Sequence, residues 1–153
     1  MYTIYCDMDG VLVNFAKGYK ELTGTDIPTG GNLTWEPIDE RGAEWWANLG
    51  WMHDGPILWN YIKKYRPKLL SAPSREDSSR VGKHEWVERE LPGVPLLLRT
   101  AKHKKDFAAP DSILIDDSQT NIDSWTKNHG IGIRHFSDNV GKTLDKLKDL
   151  YKN

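Results

Sequence analysis

Apolar and polar positions along this chain follow two textures. A short apolar run, Tyr2, Ile4, Tyr5 and Cys6, opens the sequence and reads as a strand buried on both faces. Phe15, Tyr19 and Leu22 then fall at i, i+4 and i+7, one face of a helix that Gly24 stops. Residues 24–38 are rich in Gly, Pro and Thr and read as loop. A short helix is predicted over 40–48. Another is signalled by Asp54 as N-cap and Pro56 near its start, with Leu58, Tyr61, Ile62 and Tyr65 as its face and Pro67 at its exit. From Lys68 the texture becomes strand–helix alternation. Strands are predicted at Lys68–Ser71, Val94–Leu98, 112–116 and Ile131–Ile133. Between them lie a helix over 78–90 with Val81, Trp86 and Val87 inward, a basic loop, and a helix from Asn121 to Asn128 closed by Gly130. A last helix, 138–151, carries Val140, Leu144, Leu147 and Tyr151 on one face. Alternation of this kind predicts an α/β fold with a parallel sheet.

Charge enters this pattern at particular places. The first strand ends in Asp7, skips one residue, and continues with Asp9 and Gly10. An apolar strand carries no charge inside, so both carboxylates belong at its carboxyl end, where open α/β sheets form their ligand crevice. A second acid pair, Asp116-Asp117, ends the apolar run Ile113-Leu114-Ile115. Acids held this close repel unless a cation, a proton or local donors compensate, and a divalent metal is the usual solution. Two strand-end pairs in one small domain point to one metal site.

Composition narrows the field further. With 153 residues the chain has the size of one domain with a small insertion, enough to bury a core. A net charge of -1 gives no global field to recruit nucleic acid or an anionic membrane, and no stable nucleic-acid partner is expected. The single cysteine, Cys6, excludes an internal disulfide framework. No run has transmembrane length, and the first strand leaves no room for a signal peptide, so a cytoplasmic location is expected, a host cytoplasm if the gene is viral. Five of the seven tryptophans fall between residues 35 and 59, which gives that segment its own character. Gly82-Lys83 and Gly141-Lys142-Thr143 resemble P-loop endings, but Asp77 and Phe136 stand where the upstream glycine is required. Cys6 lacks the arginine a cysteine phosphatase needs, the histidines show no zinc spacing, and no G-x-S-x-G elbow exists.

The segment DMDGV, residues 7–11, resembles the first motif, DxDG[VT], of the haloacid dehalogenase (HAD) superfamily, whose phosphatases use an aspartate nucleophile. LIDD at 114–117 resembles the fourth motif, and LLSAPS at 69–74 and KHKKDFA at 102–108 fall between them in the family's order. The set looks most like the 5'(3')-deoxyribonucleotidase branch, including its phage-encoded members. The resemblance implies a HAD-type Rossmann-like parallel sheet with helices on both faces. It implies a catalytic core of residues 1–13 and 66–153, with a small helical cap, 14–65, inserted after the first motif.

It also implies roles. Asp7 would be the nucleophile and Asp9 the general acid and base, with the Asp9 backbone carbonyl a metal ligand. Gly10 would bring backbone N–H groups to the phosphate. Asp7, Asp9, Asp116 and Asp117 would form the Mg²⁺ site, with Asp117 favoured as direct ligand and Asp116 behind it, although those two could be exchanged. Ser71 would hold a phosphate oxygen. The third-motif lysine would be Lys104, three residues before Phe107-Ala108, with Lys105 the alternative.

The expected activity is Mg²⁺-dependent hydrolysis of a small phosphomonoester, in first place a nucleoside monophosphate. Phe15 and Trp35 are candidate contacts for its sugar or base, and most of the other tryptophans are assigned to packing. The competing readings are a sugar phosphate or a nucleic-acid end as substrate, and a non-catalytic HAD-like binding protein. A homodimer is compatible with all of them.

Overall fold

The computed structural model describes residues 1–152. Five parallel strands form one sheet in the order β3-β2-β1-β4-β5: β1 (Thr3–Cys6), β2 (Lys68–Ser71), β3 (Leu96–Leu98), β4 (Ser112–Asp116) and β5 (Ile131–Arg134). Burial of Ile4, Tyr5 and Cys6 on both faces of β1, and of every residue of β4, explains why these runs are continuously apolar rather than alternating. β1 is central. Its register sets Cys6 opposite Ile115 on one side and Leu69 on the other. The next residue along, Asp7, therefore emerges beside Asp116, its N–H donating to the Ile115 carbonyl at 2.9 Å. Chain order reverses at β1, so the crevice lies outside the carboxyl ends of β1 and β4.

The insertion between β1 and β2 is helical: α1 (Phe15–Thr23), α2 (Glu36–Arg41), α3 (Ala43–Ala47) and α4 (Gly55–Ile62). Asn14 caps α1 by accepting from the Lys17 N–H, and Gly24 ends it in a left-handed conformation, φ 79°. Two expectations change here. The single helix over 40–48 is two helices, broken at Gly42 with φ 67°, and the first of them starts inside the expected loop because Pro37 favours a first turn. Asp54 stands at the N-cap of α4 but its side chain makes no capping bond; it is buried with both carboxylate oxygens unpartnered. The chain enters and leaves the segment 15–49 through two paired legs, Asn14 N–H to the Gly50 carbonyl at 2.8 Å and Met52 N–H to the Leu12 carbonyl at 2.7 Å. α4 lies beyond that pairing and contacts the last helix, α7 (Val140–Leu150). The main apolar cluster runs without a break from Ile4 and Leu69 in the sheet to Trp46, Leu49 and Leu58 in the insertion.

Helix α5 (Asp77–Glu90) reverses another expectation. Its buried residues are Ser79, Gly82, Lys83, Trp86 and Val87, an i, i+3, i+4, i+7, i+8 stripe. Val81 points away from it and is 49% exposed. Apolarity alone placed Val81 inward; the buried face instead carries polar residues whose hydrogen-bonding groups are partnered. The Ser79 hydroxyl donates to the Glu76 carbonyl and accepts from the Ser74 N–H. This stripe packs on α3. Trp86 Nε1 donates to the Leu49 carbonyl at 2.8 Å, and Trp51 Nε1 donates to Glu90 at 2.8 Å, which holds the Glu90 carboxyl below its ordinary pKa. A Cβ on Gly82 would overlap the Trp46 Cβ and the Ala43 carbonyl. Gly82→Ala is therefore expected to destabilise the protein by about 1–3 kcal/mol through overpacking, read as a lower urea midpoint. An unchanged midpoint would mean that α3 and α5 can separate freely.

The remaining elements match the predicted alternation with shifted ends. The basic loop is a 3-10 segment, Ala101–Phe107. α6 (Gln119–Lys127) begins earlier than Asn121 because Ser118 caps it, its hydroxyl accepting from the Asn121 N–H. No helix among the described residues is long and apolar enough to cross a membrane.

Candidate active site

At the carboxyl ends of β1 and β4 the two acid pairs meet. Oxygen atoms of Asp7, Asp116 and Asp117 lie within 4.8 Å of one another. Asp7 and Asp116 are buried, whereas Asp117 sits exposed at the rim. Between the buried two stands Lys104, 2% exposed, delivered by the 3-10 segment. Its Nζ donates to Asp7 Oδ1 at 3.0 Å and to Asp116 Oδ2 at 2.9 Å. Lys105 is exposed, so Lys104 is the lysine that reaches the acids. Asp116 has few free acceptor sites left. Oδ2 also accepts from Asn121 Nδ2 at 3.1 Å, and Oδ1 accepts from the Ser118 N–H at 2.9 Å. Asn121, which sequence reasoning did not single out, thus orients Asp116 from the first turn of α6.

Electrostatics follow from this crowding. Burial first, then the neighbouring carboxylates, push the Asp7 carboxyl well above its ordinary pKa, against the opposing pull of Lys104. For Lys104, burial opposes the charge, but Asp7 and Asp116 outweigh it and hold its pKa above the lysine norm. Asp117 is raised to about 6, by desolvation and then by Asp116. Its exposed rim position lets water screen part of that effect.

Asp9 is three residues past the strand, where the turn at Gly10 (φ 84°) carries the chain back over the site. That φ favours glycine, and a Cβ would overlap the Asp117 carboxylate. Asp9 Oδ2 accepts from Lys83 Nζ at 2.8 Å. Lys83 was not among the expected site residues; helix α5 gave no apolar face to flag it. Ser71 ends β2, 1% exposed, with its hydroxyl unpartnered. Phe15 and Trp35 are partly buried and belong to one aromatic group, 6.2 Å between centroids, with Trp46 stacked on Trp35 at 6.4 Å. Trp35 stands at the N-cap of α2, not in an open loop. It lines a groove of about 510 Å³ shared with Leu33, Asp39 and the loop Pro73–Glu76 that follows Ser71. Neither this groove nor a second one beside Lys17, Arg41 and Trp45 is lined by any of the strand-end acids.

A cation would suit this donor set. Four carboxylates (Asp7, Asp9, Asp116, Asp117) face two buried ammonium groups (Lys83, Lys104), an excess of two negative charges if all are ionised. That equals the charge of one divalent cation, and carboxylate oxygens are hard donors of the kind Mg²⁺ prefers.

No family model matches the chain, and no curated protein matches it. Solved structures do. A hydrolase from Streptococcus pneumoniae TIGR4 aligns with a TM-score of 0.54 at 14% identity, over 94% of this chain and 98% of that one. A predicted phosphatase from Clostridium acetobutylicum aligns with a TM-score of 0.54 at 16% identity, over 87% and 83%. A HAD-superfamily hydrolase from Ehrlichia chaffeensis aligns with a TM-score of 0.53 at 10% identity, over 90% of each. The chain thus has the Rossmann-like α/β fold of HAD-type hydrolases. At these identities the likeness is one of fold.

Proposed function

We propose that this protein is a Mg²⁺-dependent phosphomonoesterase working through an aspartyl-phosphate, with nucleoside monophosphates as its preferred substrates. The observation that carries the proposal is the buried Asp7–Lys104–Asp116 bridge at the carboxyl ends of the two central strands, with Asp117 open beside it. Asp7 attacks phosphorus; the new bond joins its carboxylate oxygen to phosphorus while the ester oxygen departs. Asp9 gives that oxygen a proton, then takes one from the water that cleaves the acyl phosphate and releases inorganic phosphate. Lys104 keeps Asp7 oriented and offsets repulsion between the carboxylates and the incoming phosphate. Ser71, with its free buried hydroxyl, is the donor assigned to a phosphate oxygen. Asp7 and Asp117 are the side chains assigned to Mg²⁺, because the Asp116 oxygens are engaged by Lys104, Asn121 and the Ser118 N–H. When bound, Mg²⁺ supplies Lewis-acid stabilisation of phosphate charge.

Substrate choice rests on the segment 15–49 between the paired legs, a narrower cover than the 14–65 interval. The groove joining Trp35 to the loop after Ser71 supports a nucleoside lying between cover and core. The test is a panel of nucleoside monophosphates, sugar phosphates, a 5'-phosphorylated oligonucleotide and p-nitrophenyl phosphate, with Mg²⁺ and with EDTA. Nucleotides are expected to lead, and EDTA to silence all activity. Trp35→Ala is expected to lower nucleotide kcat/KM by roughly tenfold to a hundredfold, the value of about 1–3 kcal/mol of stacking, and to affect the nitrophenyl ester less. Equal losses would make Trp35 structural. Leading sugar phosphates or oligonucleotide would replace the substrate class, and activity unaffected by EDTA would remove the metal.

Acid should weaken metal binding. Asp7 and Asp117 both have raised pKa values in the metal-free protein, Asp117 at about 6, so lowering pH through that value protonates Asp117, which a cation requires ionised, while the raised Asp7 favours its proton as well. Below that pH, Mg²⁺ affinity is expected to fall up to about tenfold per pH unit for one competing proton. The Mg²⁺-induced rise in Tm should accordingly shrink between pH 7.5 and pH 5. Comparison with EDTA at each pH cancels groups remote from the site, such as His135, whose burial lowers its pKa. A Tm increment independent of pH would contradict binding at these acids.

A further inference from the structure

Gly82-Lys83, which fails as a P-loop, has a different use in the fold. Lys83 is 2% exposed, an unusual state for a lysine unless it is paired. Its ammonium donates to Asp9 Oδ2 at 2.8 Å and lies 5.2 Å from the centre of the Trp46 ring. The close approach of α5 to α3, permitted by Gly82, brings it there. The other carboxylate oxygen, Asp9 Oδ1, is buried and has no partner. Buried polar atoms are rarely left unpaired without a function. The two buried lysines therefore divide the acids between them: Lys104 bridges Asp7 and Asp116, and Lys83 grips Asp9 alone.

We propose that Lys83 is a positioning residue for the acid–base step, clamping Asp9 through Oδ2 so that Oδ1 is the oxygen presented to the leaving group. The inference rests on the phosphomonoesterase reading above. A carboxylate torsion is otherwise broad and roughly two-fold, so an unclamped Asp9 would spend much of its time misaligned. Proton transfer requires an oxygen within hydrogen-bond reach in one direction. The ammonium, backed by Trp46, removes that freedom before substrate arrives, and it ties the orientation of Asp9 to the seating of the insertion on α5.

The consequence depends on the leaving group. A nucleoside 5'-alkoxide must receive a proton as the ester bond breaks, whereas p-nitrophenolate leaves as a stable anion. The experiment measures kcat/KM for a nucleoside 5'-monophosphate and for p-nitrophenyl phosphate in the same preparations of wild type, Lys83→Met and Lys83→Gln. This parameter reports steps up to phosphoenzyme formation, and the ratio of the two values cancels any unfolded fraction. The alkyl ester is expected to fall by about a hundredfold, the scale of general acid catalysis, and the aryl ester by less than tenfold, with KM little changed. A matched neutral pair, Asp9→Asn with Lys83→Met, leaves no unpaired buried charge. Adding Lys83→Met to Asp9→Asn should cost no further discrimination between the esters.

Equal losses on both esters would overturn the proposal and make Lys83 a structural ion-pair partner. A loss carried by KM would overturn it in favour of phosphate binding, and further discrimination lost in the Asp9→Asn background would uncouple Lys83 from Asp9. Wild type inactive on every monoester would defeat the phosphomonoesterase reading, and the positioning role with it. That result is distinct from an active wild type whose Lys83 variants lose both esters together.

Discussion

Asp7→Asn is expected to abolish phosphomonoester hydrolysis while the protein remains folded. The amide has nearly the shape of the carboxylate, and Asp7 sits in a buried position where shape matters. What it lacks is the nucleophilic oxygen and the negative charge. Loss of a nucleophile costs several orders of magnitude, here at least about a thousandfold in kcat on the best substrate. Stability should move the other way in the metal-free protein. The Asp7 carboxyl has a raised pKa, so the folded state holds its proton more tightly than the unfolded chain does. Stability from that proton is complete at acid pH and is lost as pH rises through the folded pKa. The amide does not titrate, so the variant should escape this loss and gain on the parent as pH rises. Urea denaturation in EDTA at pH 5 and pH 8 reads this, alongside turnover of the same preparation. A folded Asp7→Asn protein with near-normal turnover would remove Asp7 from the nucleophile role.

Lys104→Met should produce the largest loss of stability among the site variants. The ammonium is buried between Asp7 and Asp116, at 3.0 and 2.9 Å. Removing it leaves two buried carboxylates in mutual repulsion, a type of change that costs about 3–5 kcal/mol. The cost should be greatest above neutral pH. Without Lys104 the Asp7 pKa rises further, so acid lets Asp7 take up a proton and recovers part of the loss. Added Mg²⁺ should recover part of it at high pH, by supplying positive charge to the same oxygens. Turnover is expected to fall about a hundredfold or more even where the variant is folded, because the preorganised charge facing the phosphate is gone. Lys105→Met is the control: an exposed neighbour whose loss should lie within about 0.5 kcal/mol. The pair is measured by urea denaturation across pH. Equal effects at the two positions, or a Lys104 variant as stable as the parent at pH 8, would contradict the buried bridge.

The sheet and its acids are legible in the chain itself because both are local. A run such as Ile113-Leu114-Ile115 has no polar face, and its shortness and β-branched residues favour a strand covered on both sides, whose ending acids then stand at its carboxyl end. The same reasoning places Asp7 and Asp9 after β1, with Gly10 where φ must be positive. Helix ends were legible where a glycine marks them, as at Gly24. They were misread where the signal was ambiguous: the helix break at Gly42 inside the interval 40–48, and the uncapped Asp54.

Sequence alone determined which carboxylates stand at the crevice and the order in which strands and helices follow one another, since periodicity and strand-end position are properties of a few neighbouring residues. Tertiary structure decided which partners those charges meet. Lys104 rather than Lys105 turns inward because the 3-10 segment buries one of two adjacent lysines. Asn121 reaches Asp116 from the helix that follows it. Lys83 reaches Asp9 across 74 positions, on a helix stripe whose buried members Ser79, Gly82 and Lys83 are not apolar and so left no periodic mark. A hydrophobic pattern records burial only when water is excluded by apolar groups. Where a buried face is satisfied instead by hydrogen bonds and ion pairs from distant segments, as α5 is, only the packed chain brings those partners together.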